Sequence, residues 1–362
     1  MKIGIDTQSI INKKTGLGIY TENLLKALFQ MDLENEYVAL HSKKPNDLTT
    51  PGRWIWDQVT LPRLAKKADL DLLHKPCFSA PIFYDGKIVL TVHDIIPVLF
   101  PENLSFSARM YWARWLPYTF KKADKIIAIS ESTKKDLIKY LHLPSEKITV
   151  IYEGSSFENL PNMICEADKK RVKNKYNLLE KYLLCVSTLE PKKNLPFLVR
   201  CFYLAKKKFN FSEKLVIVGK IGWGVGPFFE QIKKYNLEKE IILTGYVTDE
   251  DLPVLFKMAS AFVSPSLYEG FGLPVLDALK SGCQVITSNS SSLPEIVGDA
   301  GILANPKREQ EWVEELGALL SKKSLRENYK NLGIKQGEKF SWKKCAEQTL
   351  KVYSQAINEK KL

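Results

Sequence analysis

The chain has 362 residues, 45% of them hydrophobic and 26% charged; this is a globular composition, too long for one ordinary core, and two domains of about 150–200 residues are expected. The net charge of +12 is spread along the chain, with 26 Lys+Arg against 21 Asp+Glu in residues 1–180 and 27 against 20 in the remainder. That distribution argues against a nucleic-acid partner and leaves phosphate ligands and anionic membrane surfaces open. No apolar run approaches the roughly 18–20 residues of a membrane span, and the segment Met1–Asp6 lacks a signal-peptide core, so a cytoplasmic chain is expected.

Short β-branched runs alternate with amphipathic stretches from one end to the other. The first strand, Lys2–Asp6, leads to Gly16-Leu17-Gly18-Ile19-Tyr20-Thr21, a turn whose glycines allow close approach of backbone N–H groups to a phosphate ahead of the helix carrying Leu24, Leu25 and Leu28. Thr21 stands where a dinucleotide fingerprint has its third glycine, so the turn reads equally as a plain tight turn. The strand Ile88–Val92 ends in His93-Asp94-Ile95-Ile96-Pro97, placing His93 either in a ligand-facing position or in a structural one.

Between Arg109 and Lys125, aromatic residues interleave with cations. The pattern fits an interfacial membrane contact or a helix that buries its rings and wets its charges. Strands Lys125–Ile129 and Lys147–Ile151 follow, and a polar, lysine-rich stretch at residues 160–180 reads as an interdomain linker. The division expected is a first domain over 1–175, a second over 176–341, and a last helical segment, 342–362, that packs across the junction.

The second series of strands is Tyr182–Ser187, Lys214–Val218, Ile241–Thr244, Ala261–Ser264 and Gln284–Thr287. Nearly continuous apolar strands separated by helices imply an α/β protein: two doubly wound parallel sheets facing across a cleft that serves as the default ligand site. Lys192 and Lys193 follow the first strand of this series, Gly219 the second, and Tyr246 and Val247 the third. Lysines at such a position can neutralise a diphosphate, although most lysine pairs are simply solvated.

Glu269-Gly270-Phe271-Gly272-Leu273 carries more information. Pro274 suits the first turn of a helix and Gly282 its C-terminal cap, so the loop before them aims free N–H groups at a ligand. Glu269 and Asp277, the latter expected on that first turn, are acceptors flanking an anion-binding turn. They suit a ligand with polyol, diphosphate and polyol parts. The six cysteines show no metal-ligand spacing; Asp69-Leu70-Asp71 leads into an apolar run, and Asp249-Glu250-Asp251 opens a helix, where acids cap and offset the dipole, so no metal is expected.

Taken in order, the Gly16/Gly18 loop, His93–Pro97, Ala128–Thr133, Glu190–Asn194, Gly245-Tyr246-Val247, Pro265–Pro274 and Ser292–Glu295 resemble the retaining GT-B glycosyltransferases of family 4. The segments Thr188–Asn194 and His93–Pro97 are most similar to its bacterial mannosyltransferases of surface polysaccharide assembly. The resemblance implies that Glu269 meets the transferred sugar, Asp277 the ribose, and Lys193, helped by Lys192 and backbone of Gly16–Gly18 and Gly272–Leu273, the diphosphate. The base would lie near Tyr246 and Val247, and His93 would line the acceptor side.

It also implies a metal-independent, cofactor-free reaction with GDP-mannose as favoured donor and a saccharide or lipid-linked saccharide as acceptor, at the inner face of the membrane. Two departures stand out: Asp277 replaces a longer glutamate, and no arginine precedes Lys193, where the chain reads Ser187-Thr188-Leu189. The competing readings are a nucleotide-sugar epimerase on the same architecture and a non-catalytic nucleotide-sugar binder. An oxidoreductase fits poorly without the third glycine.

Overall fold

The computed structural model describes residues 1–11, 16–42, 48–77, 79–101, 109–158, 164–178 and 181–359. The chain divides into two compact units, residues 1–154 with 340–362, and residues 155–339. Each holds one parallel six-stranded sheet.

The first sheet runs β2-β1-β3-β4-β5-β6, with β1 at Lys2–Asp6, β2 at Glu36–Leu40, β3 at Leu72–Lys75, β4 at Lys87–Val92, β5 at Lys125–Ala128 and β6 at Ile148–Val150. Helix Gly16–Met31 starts at Gly16 itself, so both glycines lie in its first turn rather than in a loop ahead of it. The residues just before it, 12–15, lie outside the described residues. The last helix, Trp342–Asn358, packs on helix Gly16–Met31 and on β4 and β5. Its buried face is Cys345, Ala346, Thr349, Val352, Tyr353 and Ala356, an i, i+4, i+7 stripe.

At the C-terminal ends of β1 and β3 the core of this unit is charged. Lys75 is fully buried and binds the carboxylates of Asp6 and Asp57, the latter at 2.7 Å. Desolvation raises the Asp57 carboxyl and the neighbouring Asp6 adds to it, despite Lys75. The burial of Lys75 is tolerable only because both partners are present.

The second sheet runs β12-β11-β10-β7-β8-β9, with β7 at Tyr182–Val186, β8 at Lys214–Val218, β9 at Ile241–Gly245, β10 at Ala261–Ser264, β11 at Val285–Ser288 and β12 at Ile302–Ala304. Helices Leu195–Phe209 and Glu309–Ser321 close one face through Phe202, Phe197, Trp312 and Leu316. Of the strands in the two sheets, β2, β3 and β12 have no counterpart among the nine expected from sequence. The expected linker is also different in kind: part of it, Glu166–Lys175, is a helix of the second unit. Residues 159–163 and 179–180 of that stretch lie outside the described residues.

What binds that helix is Asp251. Its buried carboxylate receives Arg171, Lys175 Nζ at 2.7 Å and the Tyr176 hydroxyl at 2.9 Å. Burial acts to raise this carboxyl, and the hydrogen bonds from Lys175, Arg171 and Tyr176 outweigh it, holding it well below the usual range. The sequence reading of Asp251 as a helix-capping acid is therefore corrected: it opens helix Leu252–Met258 but makes no side-chain cap. Asp71, in the other acidic pair, accepts from the backbone of Lys2 at 2.7 Å. Five cysteines are buried and Cys165 is exposed, all as free thiols.

Candidate active site

Strand order reverses in the second sheet between β7 and β10, and ligands of doubly wound sheets bind beyond the strand ends at such a point. Two loops leave there. The one after β7 makes a short turn at Pro191–Lys193 and passes through Asn194 in a left-handed conformation. The one after β10 runs to Gly272, whose φ of +114° and a Cβ position only 2.8 Å from Leu293 favour glycine. A backbone bond from Leu267 N to Lys192 O, 2.8 Å, ties the loops together.

Their side chains then meet. Lys193 Nζ stands 2.5 Å from Glu269 Oε1, each side chain 14% exposed. Burial pushes the Glu269 carboxyl up, but the charges of Lys193 and Lys192, with hydrogen bonds from Lys193 and Ser266, together hold it below its ordinary value. Lys192 also reaches Glu190 at 3.3 Å. The result is an ionised acceptor fixed beside two cations, ahead of helix Leu273–Lys280 and its N-terminal N–H groups.

A third loop, after β11, clamps the second. Glu269 N donates to Ser291 Oγ at 2.8 Å, and Ser292 Oγ donates to Glu269 O at 3.0 Å and Phe271 O at 2.6 Å. Sequence reading missed Ser291, since a serine run looks like loop chemistry until its partners are known.

Asp277 lies one turn further in than expected, as the fifth residue of its helix. Its Oδ1 accepts from Ser155 Oγ at 2.6 Å and Ser156 N at 2.9 Å. Burial pushes its carboxyl up to about 6, against those hydrogen bonds. A shortened carboxylate thus already has protein partners on one oxygen.

Gly219, with φ of +143°, places its α-carbon so close to the preceding loop that a Cβ would stand 2.0 Å from Ser187 O. Its N–H bonds Gly245 O at 2.9 Å, which sets it beside the segment of Tyr246 and Val247. Tyr246 is exposed and Val247 buried.

In the first unit, His93 follows β4. Its Nε2 is 2.9 Å from Pro76 O and its Nδ1 3.3 Å from Glu153 Oε1. With Leu17, Thr91, Asp94 and Trp112 it lines a cavity of about 140 Å³, so the Gly16–Gly18 turn and His93 share one end of this sheet. Glu153 was not singled out from sequence; a lone glutamate after a strand carries no periodic signal.

Among the described residues no cluster of three or more His, Cys, Asp or Glu stands together, and no helix is long and apolar enough to cross a membrane. The expected basic-aromatic helix begins as a π-helical turn, Arg109–Trp115, continued by Leu116–Phe120. Tyr111 and Phe120 are buried, whereas Met110 and Tyr118 are exposed.

Residues 16–157 match the model of Glycosyltransferase Family 4, and residues 166–336 that of Glycosyl transferases group 1. O-antigen chain mannosyltransferase B of Escherichia coli is 32% identical over 283 residues, covering 78% of this chain and 74% of the relative. O-antigen chain mannosyltransferase RfbU of Salmonella typhimurium is 29% identical over 62% of this chain and 58% of its own. The Anabaena HepE structure in complex with UDP and glucose superposes with a TM-score of 0.74 at 17% identity, over 98% of this chain and 100% of that one. A glycosyltransferase structure from Rickettsia africae gives 0.74 at 16% identity over 99% of each. With two parallel sheets of this topology, both family models matched in order and a relative of that identity, the chain belongs to the family 4, group 1 glycosyltransferases of GT-B fold.

Proposed function

We propose that this glycosyltransferase moves mannose from GDP-mannose, with retention of anomeric configuration, to a saccharide or lipid-linked saccharide. The observation that carries the reading is the Lys193–Glu269 pair at the reversal point of the second sheet, in a chain similar to O-antigen mannosyltransferases. Glu269 accepts hydrogen bonds from the sugar hydroxyls. Lys193, aided by Lys192 and the N–H groups of Gly272 and Leu273, takes the charge that develops on the departing diphosphate, so that no divalent metal is called for. Gly219, Tyr246 and Val247 border the base, and the Asp277 carboxyl serves the ribose. The Gly16–Gly18 turn meets the phosphates, and His93 meets the acceptor near the reacting carbon. Thermal unfolding with each nucleotide tests the donor: GDP at 100 times its dissociation constant adds about 2.7 kcal/mol, and stabilisation by UDP instead would reject mannose from GDP.

For the acceptor we favour one carried on an anionic membrane surface at the inner face of the membrane. The rings of Trp54 and Trp115 lie 6.5 Å apart and those of Trp115 and Tyr118 6.1 Å apart. Trp54, Ile55, Met110 and Tyr118 are exposed beside the exposed cations Arg109, Arg114 and Lys121. Aromatic rings rimmed by cations suit an anionic interface. Co-sedimentation with phosphatidylglycerol vesicles, weakened by Trp54→Ala and Arg114→Ala, is the expected outcome; equal recovery with phosphatidylcholine would remove the electrostatic part.

A further inference from the structure

Both ring nitrogens of His93 face atoms that only accept: Pro76 O at 2.9 Å from Nε2 and Glu153 Oε1 at 3.3 Å from Nδ1. A ring held this way has its plane and its position decided by the protein before any substrate arrives. Glu153 is 2% exposed, and among the described residues His93 Nδ1 is the side-chain atom set against its carboxyl. A buried carboxyl needs a polar partner, so its place beside His93 is itself informative.

The opposite flank of the ring is built from farther away. Tyr20 packs at a right angle to His93, with centroids 4.7 Å apart at 90°. The Tyr20 hydroxyl is 3.1 Å from Thr91 Oγ1, Thr91 Oγ1 is 2.9 Å from His74 Nε2, and His74 Nδ1 is 2.7 Å from the Tyr353 hydroxyl. Tyr20, His74, Thr91 and Tyr353 are fully buried. Burial pushes His74 down to about 3, so this imidazole is neutral, donates through one nitrogen and accepts through the other, and fits a chain of hydrogen bonds running one way.

We infer that Glu153 is a positioning residue for His93, and that the last helix acts on the same ring through Tyr353, His74, Thr91 and Tyr20. The inference rests on the reading of His93 as an acceptor-side residue. Glu153 holds the Nδ1 side of the ring, and the buried chain fixes the Tyr20 ring that packs at a right angle against it. Neither group touches substrate.

The test uses the full chain with ring-15N-labelled histidine, of which there are only four, so that His93 and His74 are assigned by substitution. Glu153→Gln keeps the volume and removes the charge. It should move the ring-nitrogen signals of His93 and leave those of His41 and His142 in place. Tyr353→Phe should move His74 most and His93 less. With GDP-mannose as donor and GDP release as readout, Glu153→Gln should lower kcat about tenfold or more, the loss expected when a group near the reacting carbon is misplaced, with KM for the donor within about twofold.

If His93→Ala turns over like the unaltered chain, the reading of His93 falls and the inference falls with it. If His93→Ala is impaired while Glu153→Gln keeps full kcat and unmoved His93 signals, the inference alone is overturned. Unmoved His93 signals in Tyr353→Phe would overturn the part assigned to the last helix. The spectra decide even when GDP-mannose is not the donor.

Discussion

Lys193 and Glu269, separated by 76 residues in the chain, are joined by a 2.5 Å charged hydrogen bond between the loops that leave β7 and β10. One ammonium has three donors, and this bond uses one, which is compatible with the proposed diphosphate contact. Glu269→Gln is expected to bind GDP about as well as the unaltered chain while kcat falls about a hundredfold or more. Lys193→Ala should cut kcat far more than Lys192→Ala. Steady-state kinetics beside GDP calorimetry measures both, and equal losses in the two lysine variants would remove the assignment of Lys193.

The same pair predicts a stability effect. Removing either partner takes from the other its nearest opposite charge, with Lys192 and Ser266 still beside Glu269, so Lys193→Met and Glu269→Gln should each destabilise, and the double variant less than their sum. A coupling of about 1–3 kcal/mol is expected from a double-mutant cycle in urea. Strict additivity would mean that solvent already screens the pair.

Asp277 gives a pH dependence with a definite sign. Burial pushes its carboxyl from the ordinary 3.8 up to about 6, so between those values the folded chain holds a proton that the unfolded chain has lost. Its contribution to stability is therefore full below about 4 and declines as pH rises through about 6. Asp277→Asn keeps an acceptor for Ser155 and Ser156 and removes the charge. Relative to the unaltered chain it should be roughly 2–3 kcal/mol more stable at pH 7.5 and no more stable at pH 4. A gap that does not widen with pH in paired urea titrations would contradict this.

Lys75→Met would leave Asp6 and Asp57 together in a dry core. The expected loss is about 3–5 kcal/mol, read as a lowered melting temperature of the first unit. A further change of Asp57→Asn should recover part of it, because one of the two orphaned charges goes.

Gly219→Ala places a methyl group against Ser187 O in a backbone conformation unfavourable to any side chain. A loss of about 2–4 kcal/mol is expected, together with weaker GDP binding because the loop bearing Lys193 must shift. Unchanged affinity in the folded variant would separate Gly219 from the donor site.

Much of this protein is decided locally. Alternating apolar strands and helices give two doubly wound sheets, and the punctuation of Gly272, Pro274 and Gly282 marks the loop and helix at Glu269–Lys280, since turn and cap chemistry is written in neighbouring residues. The strands that escaped are those whose reason lies elsewhere. β2 is an edge strand with a single buried residue, β12 has only three residues, and β3 interrupts its apolar run with His74 and Lys75. These two belong in a core only because Tyr353, Asp6 and Asp57 arrive from distant segments.

The site divides the same way. Sequence could mark Lys193, Glu269, Asp277 and His93 as candidates by residue type and position. Tertiary structure alone decided that Lys193 neutralises Glu269, that Ser155 and Ser156 occupy one oxygen of Asp277, and that Glu153 faces Nδ1 of His93. Each of these is a pairing of polar groups across the fold. Burial makes such a pairing necessary, but nothing in the local run of residues reveals which partner will be brought to it.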